Sequence, residues 1–327
     1  MLFVAVIAMA ICSVILGNSH ALAPYLLGYV FYGVYVVSTS GTYQAIIYDS
    51  LHEKGLADQY SKINGRAYAL FLAGAGVANV LSGFLAHSFS YSTVFFLSVV
   101  PCILNVLVIA SIKEPTFHKA EQKEKMLAQL KGVAKAIGSV KILFALTIIM
   151  SGLAVVELFK GDFGQLYMLR YISAPQLLGL LWAAYAFTWS LGSLIAHRFR
   201  SRLNTLVFAT VMPLILMALI DNWFGLVLFM VQATASAALL NQIETRVQEA
   251  TPSSVRASVL SVLSSIGRAI SIPASFIIGW TVREYNIFWA LRGVAIFASL
   301  LLVYWLWVSL RLPEANEPAL ASSIANE

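Results

Sequence analysis

Residues 44–70 read QAIIYDSLHEKGLADQYSKINGRAYAL. An apolar segment ends on Tyr48-Asp49, a short charged loop follows, and Arg66 opens the next apolar segment. A membrane helix that ends on a carboxylate and restarts on an arginine fits a charge-paired hinge at a membrane face. It also fits two charges resting at the water boundary, where they cost little. Either way the setting is a bilayer. Of 327 residues, 60% are hydrophobic and 11% charged, and mean hydropathy is +0.82, whereas a soluble domain carries roughly 25% charged residues. The expected class is an all-α polytopic membrane protein.

A helix crosses the hydrocarbon in about 20 residues. On that ruler ten spans fit, near 1-17, 24-48, 65-87, 91-112, 142-168, 175-196, 203-221, 223-242, 254-281 and 287-311. The breaks fall at polar or helix-breaking clusters, and the weakest is Asp221-Asn222, where two spans meet in a tight turn. Basic residues gather in alternate gaps. One set holds Lys54, Lys62 and Arg66, the lysines from Lys113 to Lys141, Arg198, Arg200 and Arg202, Arg246 and Arg256, and Arg311. The other gaps hold little beyond Arg170 and Arg283. This asymmetry predicts that the first set and both termini are cytoplasmic. Met1 is followed by LFVAVIAMAICSVIL, with no basic n-region and no cleavage site, so a membrane helix is expected there rather than a signal peptide. The short loops suit a bacterial inner membrane.

The net charge of +6 is not gathered on one face, so no nucleic-acid partner is implied. Cys12 and Cys102 lie inside apolar runs and read as packing residues. No zinc spacing, phosphate loop or nucleophile elbow is present, and no cofactor is expected. The histidines at 20, 52, 87, 118 and 197 are scattered over different gaps, which argues against a membrane enzyme. The basic stretch 113-141 separates a four-helix part, 1-112, from a six-helix part, 142-311, with a tail at 312-327. The middle of that linker fits an amphipathic surface helix with Met126, Leu127, Leu130 and Val133 facing down, and fits a solvated tether equally well.

The opening stretch has a partner. NQIETRVQEATPSSVRASVLSVLSSIGRAI, from Asn241 to Ile270, repeats its plan: a polar helix end, a short loop, then Arg-Ala opening a helix rich in small residues. Arg66-Ala67 and Arg256-Ala257 stand 190 residues apart, as parallel repeats of a transporter would. With Tyr48-Asp49-Ser50-Leu51, Gly65-Arg66, Pro252-Ser253 and the Gly192–Arg202 segment GSLIAHRFRSR, the chain resembles the major facilitator superfamily. The last segment is similar to a degenerate second copy of that family's signature loop, with His197 at the acidic position and Arg200 at a glycine position. The resemblance implies a twelve-helix fold. It places Met1 at the start of the third helix, so that the first two helices and the better signature loop are missing.

An intramembrane charge costs about 2.5–3.5 kcal/mol on insertion scales and is a functional candidate by default. At 100° per residue, Glu157, Lys160, Gly161, Gly164 and Gln165 share one polar face of the fifth span, with Glu157 and Lys160 spaced to pair. Asp162 points elsewhere, toward the helix end. The rival reading is a helix that ends early with its charges in water. Arg268 lies about 22 Å past Ser254 along its helix, near mid-membrane, and needs a carboxylate, a carbonyl or an anionic substrate. Glu157 is its expected partner, because the family fold places these two helices around one cavity; otherwise Arg268 is a structural hydrogen-bonder. Tyr32 and Tyr35, and Gln232 with Thr234 and Ser236, complete the polar candidates, though aromatic stripes more often pack.

The resemblance implies a secondary active transporter of a small molecule, working by alternating access in the bilayer as a monomer. Proton coupling through Glu157 is expected, with efflux ahead of uptake. A cytoplasmic gate is expected from Asp49, Arg66, Arg198, Glu244 and Arg256. The rival outcomes are an inactive remnant or membrane scaffold and, less favoured, a polytopic enzyme.

Overall fold

The computed structural model describes residues 1–39, 42–56, 60–112, 141–200, 202–251 and 256–312, with a few helical side chains left aside. The linker 113–140, and with it the amphipathic-helix question, lies outside the described residues, as do the side chains of Asp49 and Arg256.

All regular structure among the described residues is helical, as a chain that must satisfy its backbone without water requires. In order these are α1 (Leu2–Gly17), α2 (Leu22–Thr39), α3 (Thr42–Glu53), α4 (Tyr60–Ser88), α5 (Tyr91–Leu97), α6 (Val99–Ser111), α7 (Lys141–Leu158), α8 (Gly164–Leu169), α9 (Pro175–Ile195), α10 (Leu203–Leu219), α11 (Phe224–Glu249), α12 (Arg256–Glu284) and α13 (Ile287–Arg311). Among the described residues eight stretches are long and apolar enough to cross a membrane, and α1 and α10 are shorter apolar helices. Some boundaries move from the sequence expectation. α11 runs on to Glu249, so most of the gap expected after residue 242 is helix. The expected 91–112 span is broken at Ser98, where Pro101 crowds the carbonyl four residues back.

Local chemistry sets the ends. After α3, Gly55 has φ +68° and the Leu56 N–H donates to Leu51 O at 2.8 Å, a Schellman closure that glycine permits. α5 is capped by Ser90 Oγ, which accepts from Thr93 N at 3.1 Å. α13 is capped by Asn286 Oδ1, which accepts from the N–H groups of Phe288 and Trp289 at 2.9 and 3.2 Å.

The chain divides into two units, Met1–Glu121 with Ala174–Ala183, and Gln122–Ser173 with Ala184–Glu327. In the first, α1 packs on α2, α5 and α6. Small residues let the helices approach: a Cβ on Gly28 would lie 2.8 Å from Leu16 Cδ2, and one on Gly17 would lie 3.0 Å from the Phe96 ring. In the second, a core formed by Leu143, Leu146 and Ile149 (α7), Leu206 (α10), Leu239 and Ile243 (α11), Leu263 (α12) and Trp305 (α13) is closed to solvent. Trp305 donates to Asn204 Oδ1 at 2.7 Å.

Candidate functional site

The polar cluster of the second unit is built on α7 and α11, with α9 closing one side. Between α7 and α8, Phe159–Phe163 form a single π-helical turn. Its i→i+5 bonding fits one additional residue into the turn. Lys160 is in that turn and fully buried, and its Nζ lies 2.9 Å from Glu157 Oε1. The same oxygen accepts the hydroxyl hydrogen of Ser236 on α11. On its other side the ammonium sits over the Trp189 ring, 4.9 Å from the centroid, a cation–π contact strengthened by the absence of water. The Tyr185 ring stands next to Trp189, with centroids 6.2 Å apart. One turn before Ser236, Gln232 is buried, and neither its Nε2 nor its Oε1 has a hydrogen-bond partner.

This arrangement joins a carboxylate, an ammonium, a hydroxyl and an uncommitted amide inside a bundle. A pair in this position is maintained by mutual compensation, since either charge alone would be severely desolvated. Glu157 keeps 22% of its side-chain surface accessible against 1% for Lys160, so the carboxylate is the member that solvent or a ligand can reach. Protons or a polar substrate group can therefore be exchanged at Glu157, while Lys160 and Ser236 hold the carboxylate in position.

The remaining predicted residues fall elsewhere. Gln165, expected on the face of Glu157, is exposed, because the additional residue in the π turn shifts everything after Phe163 by about one position, or 100°. Asp162 is exposed too. Arg268 does not reach Glu157: its side chain is exposed and, among the described residues, it makes no ion pair or hydrogen bond. Ser236 occupies the place expected for it. Tyr32 and Tyr35 belong to the first unit, in a run of rings from Tyr25 through Tyr29 with centroid spacings of 5.0, 6.0 and 6.1 Å.

Of the expected gate residues, Arg66, Arg198 and Glu244 are exposed. Two buried neighbours of Glu244 close the α9 end. Gln242 Nε2 donates to Ala196 O at 2.8 Å and Arg246 Nη2 donates to Arg200 O at 2.7 Å, so that a cation and an amide satisfy carbonyls a helix end leaves open. Sequence reasoning treated Arg246 only as a topology signal. Its spacing from Gln242, one helical turn, was the available clue.

A second cluster, unforeseen in the sequence, sits where α8, α10 and α13 end or begin. Arg170 grips Asp221 with Nε–Oδ1 at 3.2 Å and Nη2–Oδ2 at 2.6 Å, and Tyr171 Oη donates to Asp221 Oδ1 at 3.2 Å. Arg170's bidentate bond holds the Asp221 carboxyl below the usual carboxylate range, against a smaller opposing effect of desolvation. These were the isolated charges of otherwise uncharged gaps, which was the signal for a pair.

An all-helical, membrane-crossing fold with a charged cluster inside one bundle defines an integral membrane transporter. Residues 1–274 match the Major Facilitator Superfamily, and the chain belongs to that family; it is a transporter and not an enzyme. The crystal structure of a bacterial homologue of the human lysosomal transporter Spinster, inward-facing and unoccupied, is similar, with 17% identity and a TM-score of 0.65. The match covers 97% of this chain and 84% of that one. At that identity the likeness is one of fold. Comparison with curated proteins gives no match.

Proposed function

We propose that this protein is a secondary active transporter that moves a small molecule across the membrane by alternating access of a four-helix and a six-helix bundle, coupled to protons. Efflux from the cytoplasm of a bacterial cell is the favoured direction. The distribution of basic residues supports cytoplasmic termini and a cytoplasmic gate near Arg66, Arg198 and Glu244. The observation that carries the reading is the Glu157–Lys160–Ser236 cluster with the unpaired Gln232 amide beside it. Glu157 is the proton site and Gln232 a hydrogen-bonding contact for the substrate. An intramembrane ion pair that keeps one member accessible supports exchange of a proton for a bound solute.

The test expresses the full chain in a bacterium deprived of its main exporters and follows accumulation of ethidium, a small amphipathic cation. Lower accumulation that a protonophore reverses, and that Glu157→Gln abolishes by at least about tenfold, supports proton-coupled efflux. Equal accumulation with wild type and Glu157→Gln refutes the assignment of Glu157.

A further inference from the structure

Two cavities in the second unit have the Trp289 indole as a shared wall. The first is polar, lined by Arg170, Asp221, Asn286 and Arg292 among others. Both Asp221 oxygens are engaged by Arg170 and Tyr171, so its negative charge is already answered. Arg292 donates through Nε to Ala218 O at 3.2 Å and lies over the Trp289 ring at 5.0 Å. Among the described residues its terminal Nη groups make no hydrogen bond. A cation with two open N–H-bearing nitrogens therefore faces this cavity.

The second cavity, about 360 Å³, is an apolar groove between α12 and α13 floored by Val155 of α7. Pro273, Ile277, Thr281, Gly293 and Phe297 line it, and Thr281 is the only polar side chain among them. From Ile270 to Thr281 it follows about 16 Å of helix, close to the half-thickness of a hydrocarbon core of about 30 Å. A Cβ placed on Gly293 meets nothing within 4 Å. The groove is thus open there. At the Thr281 end, Trp280, Tyr285 and Trp289 form a run of exposed rings with centroid spacings of 5.9 and 6.2 Å. Such a girdle lies at headgroup level.

We propose that this flank is a binding site for an anionic phospholipid of the surrounding bilayer, its phosphate on Arg292 and one acyl chain in the groove past Gly293. Charge complementarity selects the headgroup, and the groove's depth matches the chain of one leaflet. The site is separate from the Glu157 cluster and does not depend on the transport reading.

The test uses purified full-length protein in nanodiscs of phosphatidylcholine with increasing phosphatidylglycerol, followed by native mass spectrometry after mild delipidation. One retained lipid per chain is expected, with phosphatidylglycerol preferred about fivefold, as one arginine near the surface supplies. Arg292→Gln should level the two lipids, and Gly293→Leu, which fills open space, should remove the retained lipid while leaving the thermal transition near wild type. The proposal is overturned if wild type holds both lipids equally, or if either variant retains phosphatidylglycerol as wild type does. Displacement of the lipid by inorganic phosphate alone, or a dimer that Gly293→Leu dissociates irrespective of lipid, also overturns it, in favour of a free-anion site or a second copy of the chain.

Discussion

Ser236 on α11 and Lys160 on the π turn converge on one oxygen, Oε1 of Glu157, the first through its hydroxyl hydrogen and the second across 2.9 Å. The carboxylate is thereby fixed by two helices while its other oxygen stays available. The charge balance is asymmetric, because Lys160 is closed off and Glu157 is not.

That asymmetry predicts unequal mutants. Glu157→Gln keeps an acceptor for Ser236 but strands a buried ammonium, and should lower stability by about 3–5 kcal/mol. Lys160→Met leaves a partly accessible carboxylate still held by Ser236 and should lose less than half as much. The double variant should recover most of the loss of Glu157→Gln. Thermal unfolding of the full-length protein in detergent measures all three, and additive losses would show that the pair is not coupled.

Gln232 predicts a trade between stability and affinity. A buried amide with neither atom paired costs about 1–3 kcal/mol, so Gln232→Leu should raise the melting temperature. Under the proposed function it should also weaken transport, seen as a higher half-saturating concentration with the maximal rate preserved. A variant that is both less stable and kinetically unchanged would contradict the role given to this side chain.

Much of this architecture was legible in the residues, because bilayer thickness converts directly into apolar run length. The spans from Leu2 to Arg311 could be marked from hydropathy, and Glu157–Lys160 from their spacing. What could not be read depends on backbone geometry or on distant partners. Nothing in Phe159–Phe163 announces a wider turn, so Gln165 was placed on the wrong face. Arg246 is buried because the Arg200 carbonyl waits for it 46 positions away, a fact no local pattern encodes. Arg268 looked unpaired and in need of a carboxylate, yet its exposure removes that need.

Gly225 marks a contact testable by rescue. A Cβ there would collide with the Tyr167 hydroxyl, whose ring is fully buried between Phe229 and Phe288. Gly225→Ala should cost about 1–3 kcal/mol as an overpacking change. Adding Tyr167→Phe removes the colliding oxygen and should restore most of it. No rescue would place the strain in the backbone rather than at the hydroxyl.

The Arg170–Asp221 bond gives an acid limb to stability. Because the folded Asp221 carboxyl is depressed, its contribution is complete above the ordinary carboxylate value of about 3.9 and disappears as pH falls through the lower folded value. The half-exposed setting keeps the effect small. Melting temperature against pH should therefore fall more steeply below about pH 4 in wild type than in Asp221→Asn. Parallel curves would show that the pair contributes nothing measurable.

The π turn makes the α7–α8 rod two helices of different phase joined end to end. A reagent scanned along single cysteines from Ile149 to Leu169 would report a regular wave of protection that slips by one position across Phe159–Phe163. Deleting Gly161, which has open space around it, would bring the two waves into step. Gln165 would then turn toward Glu157, and the face that the uninterrupted sequence describes would exist for the first time.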